Sequence, residues 1–222
     1  MAIGRLPART VEEASLMVSK IVRYEQSGGG MNEVLLVADM NGKEFDFEGA
    51  SSEVQALLPG GYTVGRIYRS QFADDGQVHS EVVRGLNEGK LLVNYIGHGS
   101  EQGWRGCIFS LQDAEALTNG LRLPFVVTMT CLNGFFQDVY GDSLAEGLLK
   151  AKQGGAVAVW ASSGLTEPDK QAVMSKALIQ FLFNGESLTV GEAIKKAKAA
   201  VSDQDVRKTW ILFGDPTTWL KK

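Results

Sequence analysis

Six short runs, apolar or β-branched almost throughout, constrain this chain more than any other feature. They are Val34–Val37, Tyr62–Val64, Leu91–Ile96, Phe125–Met129, Ala156–Trp160 and Trp210–Phe213. A strand with one wet face alternates between apolar and polar residues. A run that does not alternate is covered on both faces, as strands within parallel sheets are. Helical spacing occupies most of the intervals: about Thr10–Tyr24, Glu53–Leu58, Val78–Asn87, Leu111–Thr118, Gly141–Ala151, Glu167–Phe183 and Val190–Ser202. Thr10 with Glu13, Ser110 with Asp113, and Thr189 with Glu192 carry the capping-box signature at helix starts. In the first helix Val11, Ala14, Met17, Val18, Ile21 and Val22 are expected on one buried face. Strand followed by helix, repeated along the chain, predicts an α/β fold with one open sheet covered by helices on both sides. No linker, repeat or low-complexity segment interrupts the 222 residues, so 1–222 is read as a single domain.

Composition narrows the function classes. With 44% hydrophobic and 22% charged residues, disorder is excluded as the main state. The formal net charge is −4, and the densest basic set, Lys195, Lys196 and Lys198, reads as one solvated helix face. Nucleic acid and anionic membrane are therefore not expected as partners, because both are gripped by clustered Lys and Arg. No run approaches the ~20 apolar residues of a spanning helix, so no membrane insertion is expected. The opening Ala2–Pro7 has neither leader nor cap character, which suggests a piece of a longer protein. Two cysteines make no disulfide framework, though one Cys107–Cys131 bridge is conceivable, and no zinc-ligand spacing occurs. No cofactor or metal is expected.

In an open parallel sheet, reactive groups gather beyond the carboxyl ends of the strands. Asp39 follows the first run, Gly97-His98-Gly99-Ser100 the third, Thr130-Cys131-Leu132-Asn133-Gly134 the fourth, and Ser162-Ser163-Gly164 the fifth. A carboxylate, an imidazole and a thiol thus leave one rim. The interval between His98 and Cys131 fits one loop, one helix and one strand, which makes them neighbours at adjacent strand ends. The glycines flanking His98 let backbone approach a substrate closely and leave N–H groups for an oxyanion. A lone cysteine is usually a small core hydrophobe and a lone histidine usually structural. Their joint position at the ends of consecutive strands favours a Cys–His dyad, whereas His79 and Cys107 lack such a context. Trp104 and Trp160 are candidates for a pocket wall, against the commoner role of tryptophan in a core. Gly97-x-Gly99 leaves a nucleotide loop open but lacks the Lys-Ser/Thr pair of a P-loop, and the Ser162-Ser163 turn is no nucleophile elbow.

An apolar block ending in His-Gly, followed by a second ending in cysteine, resembles the caspase-like peptidase clan, and within it the gingipain-type cysteine peptidases. The matching stretches are Ile3–Pro7, Val93–Ser100, Thr130–Gly134 and Leu212–Thr217. The resemblance implies a caspase-like three-layer α/β/α sandwich with a mostly parallel six-stranded sheet, and endopeptidase activity through a thioacyl-enzyme. It implies Cys131 as nucleophile, His98 as acid–base group, and the N–H groups of Gly99 and Cys131 as oxyanion hole. Asp39 stands where some family members place an acid that orients the histidine, although the family's residue there is glutamate. Asp46, with Glu48 beside it, lies where an acidic pocket floor selects Arg or Lys before the cut. Trp104, Ser162 and Ser163 complete the expected substrate contacts. A polypeptide substrate, a preceding subdomain or propeptide as partner, and a secreted or cell-surface location follow from the resemblance alone. The alternative is a non-catalytic caspase-like module used for binding or assembly.

Overall fold

The computed structural model describes residues 1–222. In chain order its elements are α1 (Val11–Gln26), β1 (Glu33–Ala38), α2 (Phe47–Ala56), β2 (Thr63–Tyr68), α3 (Asp75–Asn87), β3 (Leu92–Ile96), β4 (Gly99–Ser100), β5 (Gly103–Trp104), α4 (Leu111–Glu115), β6 (Phe125–Met129), α5 (Leu144–Lys150), β7 (Ala158–Ser162), α6 (Pro168–Phe183), α7 (Val190–Ala199), α8 (Gln204–Thr209) and β8 (Trp210–Phe213). Six strands form one sheet in the order β2-β1-β3-β6-β7-β8, and β4 and β5 form a separate small hairpin. The pairs from β2 through β7 are parallel, and β8 runs antiparallel to β7.

Each central strand is buried along its whole length, as its lack of alternation requires. Leu92 and Ile96 of β3 face a core with α2, α6 and α7, whereas Val93 and Tyr95 face the opposite one with α3, α4 and α5. The three-layer sandwich therefore has a separate apolar core on each side of its sheet. None of its helices is long and apolar enough to cross a membrane.

The capping boxes at Thr10, Ser110 and Thr189 form as read, and a fourth forms at Ser143 with Glu146. Several boundaries differ. Helix α2 starts at Phe47 instead of Glu53, because the Asp46 side chain accepts the Gly49 N–H and caps it there. Strand β2 continues through Gly65 and Arg66 to Tyr68, since an edge strand tolerates the polar residues that hid it. Helix α4 is shorter than expected, and the six-residue α8, capped by Asp203, interrupts what read as a loop. In α1 the buried stripe is Met17, Lys20, Ile21 and Tyr24, so Val11, Val18 and Val22 stay exposed. A lysine occupies the apolar stripe because its amine reaches the carbonyls of Leu148, Leu149 and Ala151 at the end of α5.

Candidate active site

The strand order reverses between β1 and β3, since the chain adds β2 on one side of β1 and β3 on the other. Beyond the carboxyl ends of β1, β3, β6 and β7 lies a cleft of about 440 Å³, lined by His98, Cys131, Phe45, Phe47, Glu44 and the turn Thr166–Pro168, with Gln171 behind it. The structure thus brings His98 and Cys131 to one cavity, at the kind of crevice where open α/β sheets take ligands. Both cysteines are free thiols.

Close backbone approach draws the two loops together. A Cβ on Gly99 would stand 2.8 Å from Thr130 Oγ1 and 3.0 Å from the Gly103 carbonyl oxygen, so only glycine lets the histidine loop lie against the residue preceding Cys131. A Cβ on Gly97 would meet Tyr95 Oη at 2.4 Å and Asp39 Cβ at 2.5 Å. The hairpin β4–β5 hangs from this crossing, and Asn133 bolts it down. The buried Asn133 amide donates to Ser100 O at 2.7 Å and Gly103 O at 3.3 Å, and its oxygen accepts Trp104 Nε1–H at 3.0 Å. Sequence reasoning missed both the hairpin and this role for Asn133. The available signal was the Ser-x-x-Gly-Trp turn directly after the histidine.

The His98 ring is exposed to the cleft with Phe47 edge-on to it, centroids 5.0 Å apart. Its main-chain oxygen accepts the Tyr95 hydroxyl at 2.7 Å and the Arg105 N–H at 2.9 Å. Burial, reinforced by the charge of Asp39, holds the Tyr95 phenol well above its ordinary range, so it remains a donor. Cys131 is half-buried, and its thiol donates to the Thr166 carbonyl, with sulfur and oxygen 3.6 Å apart. That carbonyl also accepts Gln171 Nε2–H at 3.0 Å, which ties the turn after β7 to α6. The Cys131 N–H has no acceptor within the protein. Leu132, next in the chain, has a positive φ of 63°, so the nucleophile candidate sits at a strained turn.

Other expected placements are corrected. Asp39 is fully buried, but its carboxylate meets the His98 backbone N–H, not the imidazole, and pairs with Arg69. Its other oxygen is taken by Arg69 and the Met40 N–H, which leaves neither for the imidazole. Asp46 is an exposed helix cap outside the cleft, with its Oδ1 occupied by Gly49 N–H at 2.7 Å, while Glu44 and Glu167 line the cleft instead. Trp104 belongs to the core, stacked on Tyr95 with centroids 4.1 Å apart. Ser162 is buried and bonds Gly164 through its hydroxyl, and Ser163 bonds the Thr209 carbonyl. Neither serine lines the cleft, because the chain turns at Gly164 and presents Thr166–Pro168 in their place. No group of three or more His, Cys, Asp or Glu side chains converges to hold a metal ion.

Residues 1–221 match the family described as Peptidase family C25. Gingipain R2 of Porphyromonas gingivalis is 26% identical over 238 aligned residues, which cover 97% of this chain and 32% of that protein. The crystal structure of the Arg-specific cysteine proteinase gingipain R superposes with a TM-score of 0.88 at 24% identity, covering 99% of this chain and 55% of the other. The complex of Porphyromonas gingivalis RgpB pro- and mature domains superposes with a TM-score of 0.89 at 23% identity, covering 99% and 56%. At these identities the two structures speak to the fold.

Proposed function

The chain belongs to peptidase family C25, and on that premise we propose that it is a catalytic domain that hydrolyses peptide bonds through Cys131 and His98. The observation that supports this most is the single cleft lined by both side chains at the carboxyl edge of the sheet. His98 removes the Cys131 proton, and the thiolate attacks the scissile carbonyl. The oxygen that becomes negative is received by the N–H groups of Cys131 and Gly99. His98 then gives its proton to the departing amine, and water attacks the resulting thioester with His98 as base, restoring the thiol. The Thr166 carbonyl must release the thiol before attack, so the turn after β7 moves or substrate displaces the contact.

The substrate is a polypeptide, and cleavage follows Arg or Lys. Glu44 and Glu167 are the carboxylates lining the cleft with Cys131 and could meet a basic side chain there. A propeptide or further subdomain is the partner we expect against this domain, in a protein exported from the cell or held at its surface. The exposed Ile3, Val11, Val18 and Val22 offer apolar surface for such a contact.

The test is hydrolysis of a peptide library varied at the residue before the cut, under reducing conditions, with Cys131→Ala alongside. Turnover that vanishes in the variant supports the dyad. Turnover that survives in it removes Cys131 from the chemistry. Glu44→Gln combined with Glu167→Gln should reduce the Arg-over-Ala ratio, and an unchanged ratio removes the acidic-cleft assignment.

A further inference from the structure

We propose that Arg69 is a positioning residue for His98, acting through the buried carboxylate of Asp39. The inference rests on the reading of His98 as the acid–base group. Both Asp39 oxygens are committed. Oδ1 accepts Arg69 Nη1–H at 2.8 Å and the Met40 N–H at 2.8 Å, and Oδ2 accepts the His98 N–H at 3.2 Å. Arg69 cannot turn away, because Asp75 grips its other edge with two oxygens, 2.5 Å from Nε and 2.7 Å from Nη2. Gly106, with φ of 76°, lets the chain after the hairpin close over this pair; a Cβ there would stand 2.6 Å from Asp75 Oδ2 and 2.7 Å from Arg69 Nη2.

The consequence for His98 is mechanical. Its N–H is held by Asp39 and its carbonyl by Tyr95 and Arg105, so the main chain on both sides of Cα is pinned and the ring torsions remain. Asp39 does this with one oxygen accepting the His98 N–H and the other accepting Arg69. A fully buried carboxylate is costly without a partner, so its hold on the His98 N–H depends on the cation beside it. Arg69 is the cation that meets it, with Asp75 behind. The other titratable or charged groups near it are Tyr95, His98 and Arg105. The acid after β1 therefore acts on the backbone of the histidine, and the arginine holds that acid in place.

The test uses the whole chain with Cys107→Ser, so that iodoacetamide reports Cys131 alone, across a pH series. Arg69→Gln is expected to slow alkylation by about tenfold at each pH of the series. On a peptide that the wild type cleaves, kcat falls while KM holds. In an Asp39→Asn background, adding Arg69→Gln should cost much less than it does alone, because Asp39 is the residue that hydrogen-bonds both Arg69 and His98. A folded Arg69→Gln protein with the wild-type profile overturns the proposal, and so does a loss in the Asp39→Asn background as large as in the wild-type one. If Arg69→Gln alone does not fold, the Asp39→Asn comparison decides, since that pair leaves no unpaired buried carboxylate. Alkylation that is indifferent to His98→Ala removes the peptidase reading and this inference with it. A wild type that cleaves no peptide but shows the expected alkylation cycle sustains Arg69 and counts against the peptidase reading alone.

Discussion

At the scale of single residues, the turn at Cys131 is the place where local preference gives way. Leu132 holds a φ of 63°, in the left-handed region that costs a non-glycine residue about 1–2 kcal/mol. Its N–H bonds Gly164 O and its carbonyl accepts the Phe135 N–H, so the strain is held by bonds on both sides. A β-branched side chain tolerates this region least. Leu132→Ile should therefore lower the unfolding free energy by about 1–2 kcal/mol, whereas Leu132→Gly, free of the strain, stays within about 1 kcal/mol of wild type. Urea denaturation of the two variants checks this, and equal midpoints would mean that the turn relaxes. The strain was not legible beforehand. Leu-Asn-Gly carries no mark of which residue turns, and the positive φ falls on the leucine although asparagine and glycine follow it.

Among elements, the histidine and cysteine loops are joined by two devices, one steric and one polar. Gly99 admits Thr130 at a distance no side chain would allow, and Asn133 fastens the hairpin through three side-chain hydrogen bonds. Gly99→Ala must part the loops, so peptide turnover should fall tenfold or more by about the cost of an ångström-scale misplacement. Gly60→Ala, where a Cβ meets nothing within 4 Å, should leave turnover unchanged. Asn133→Ala leaves the buried Trp104 indole N–H without its acceptor and the Ser100 carbonyl without its donor, at about 2–4 kcal/mol. A Gly99→Ala enzyme of full activity, or an Asn133→Ala protein that unfolds with wild type, would show that the loops are held elsewhere. The elements that sequence placed well are those whose signal is local, such as α1 with its capping box and β6 with its continuous apolar run. The hairpin is missed and the start of α2 is misplaced for a common reason: what fixes them is a contact with another loop or a cap, and neither leaves a periodicity. Asp46 shows the ambiguity plainly, since an aspartate before a helix and an acid beneath a substrate look alike in sequence.

At the scale of the whole molecule, the sheet could be read because burial on both faces writes itself into composition, and the strand ends then told where His98 and Cys131 would meet. What composition could not convey was which charges the two cores admit. Lys20 is the clearest of these, sitting in the apolar stripe of α1 with 8% exposure and donating to three carbonyls at the end of α5. Burial pushes its amine down to about 7, while the helix-terminal carbonyls act in the opposite direction by favouring the charged form. Desolvation prevails, and the sign of the pH dependence follows. The unfolded chain holds this proton to about pH 10.4, so between roughly pH 7 and 10 the unfolded state binds more protons and stability rises with pH. Below about pH 7 the amine is charged in both states and the penalty is complete. Thermal unfolding of wild type and Lys20→Met across pH 6 to 9 isolates this group. The difference in Tm should move in favour of wild type as pH rises, because only wild type is relieved of a buried charge. A difference that stays constant would mean that the three carbonyls keep Lys20 protonated throughout, and that the tie between α1 and α5 is an ionic cap at every pH.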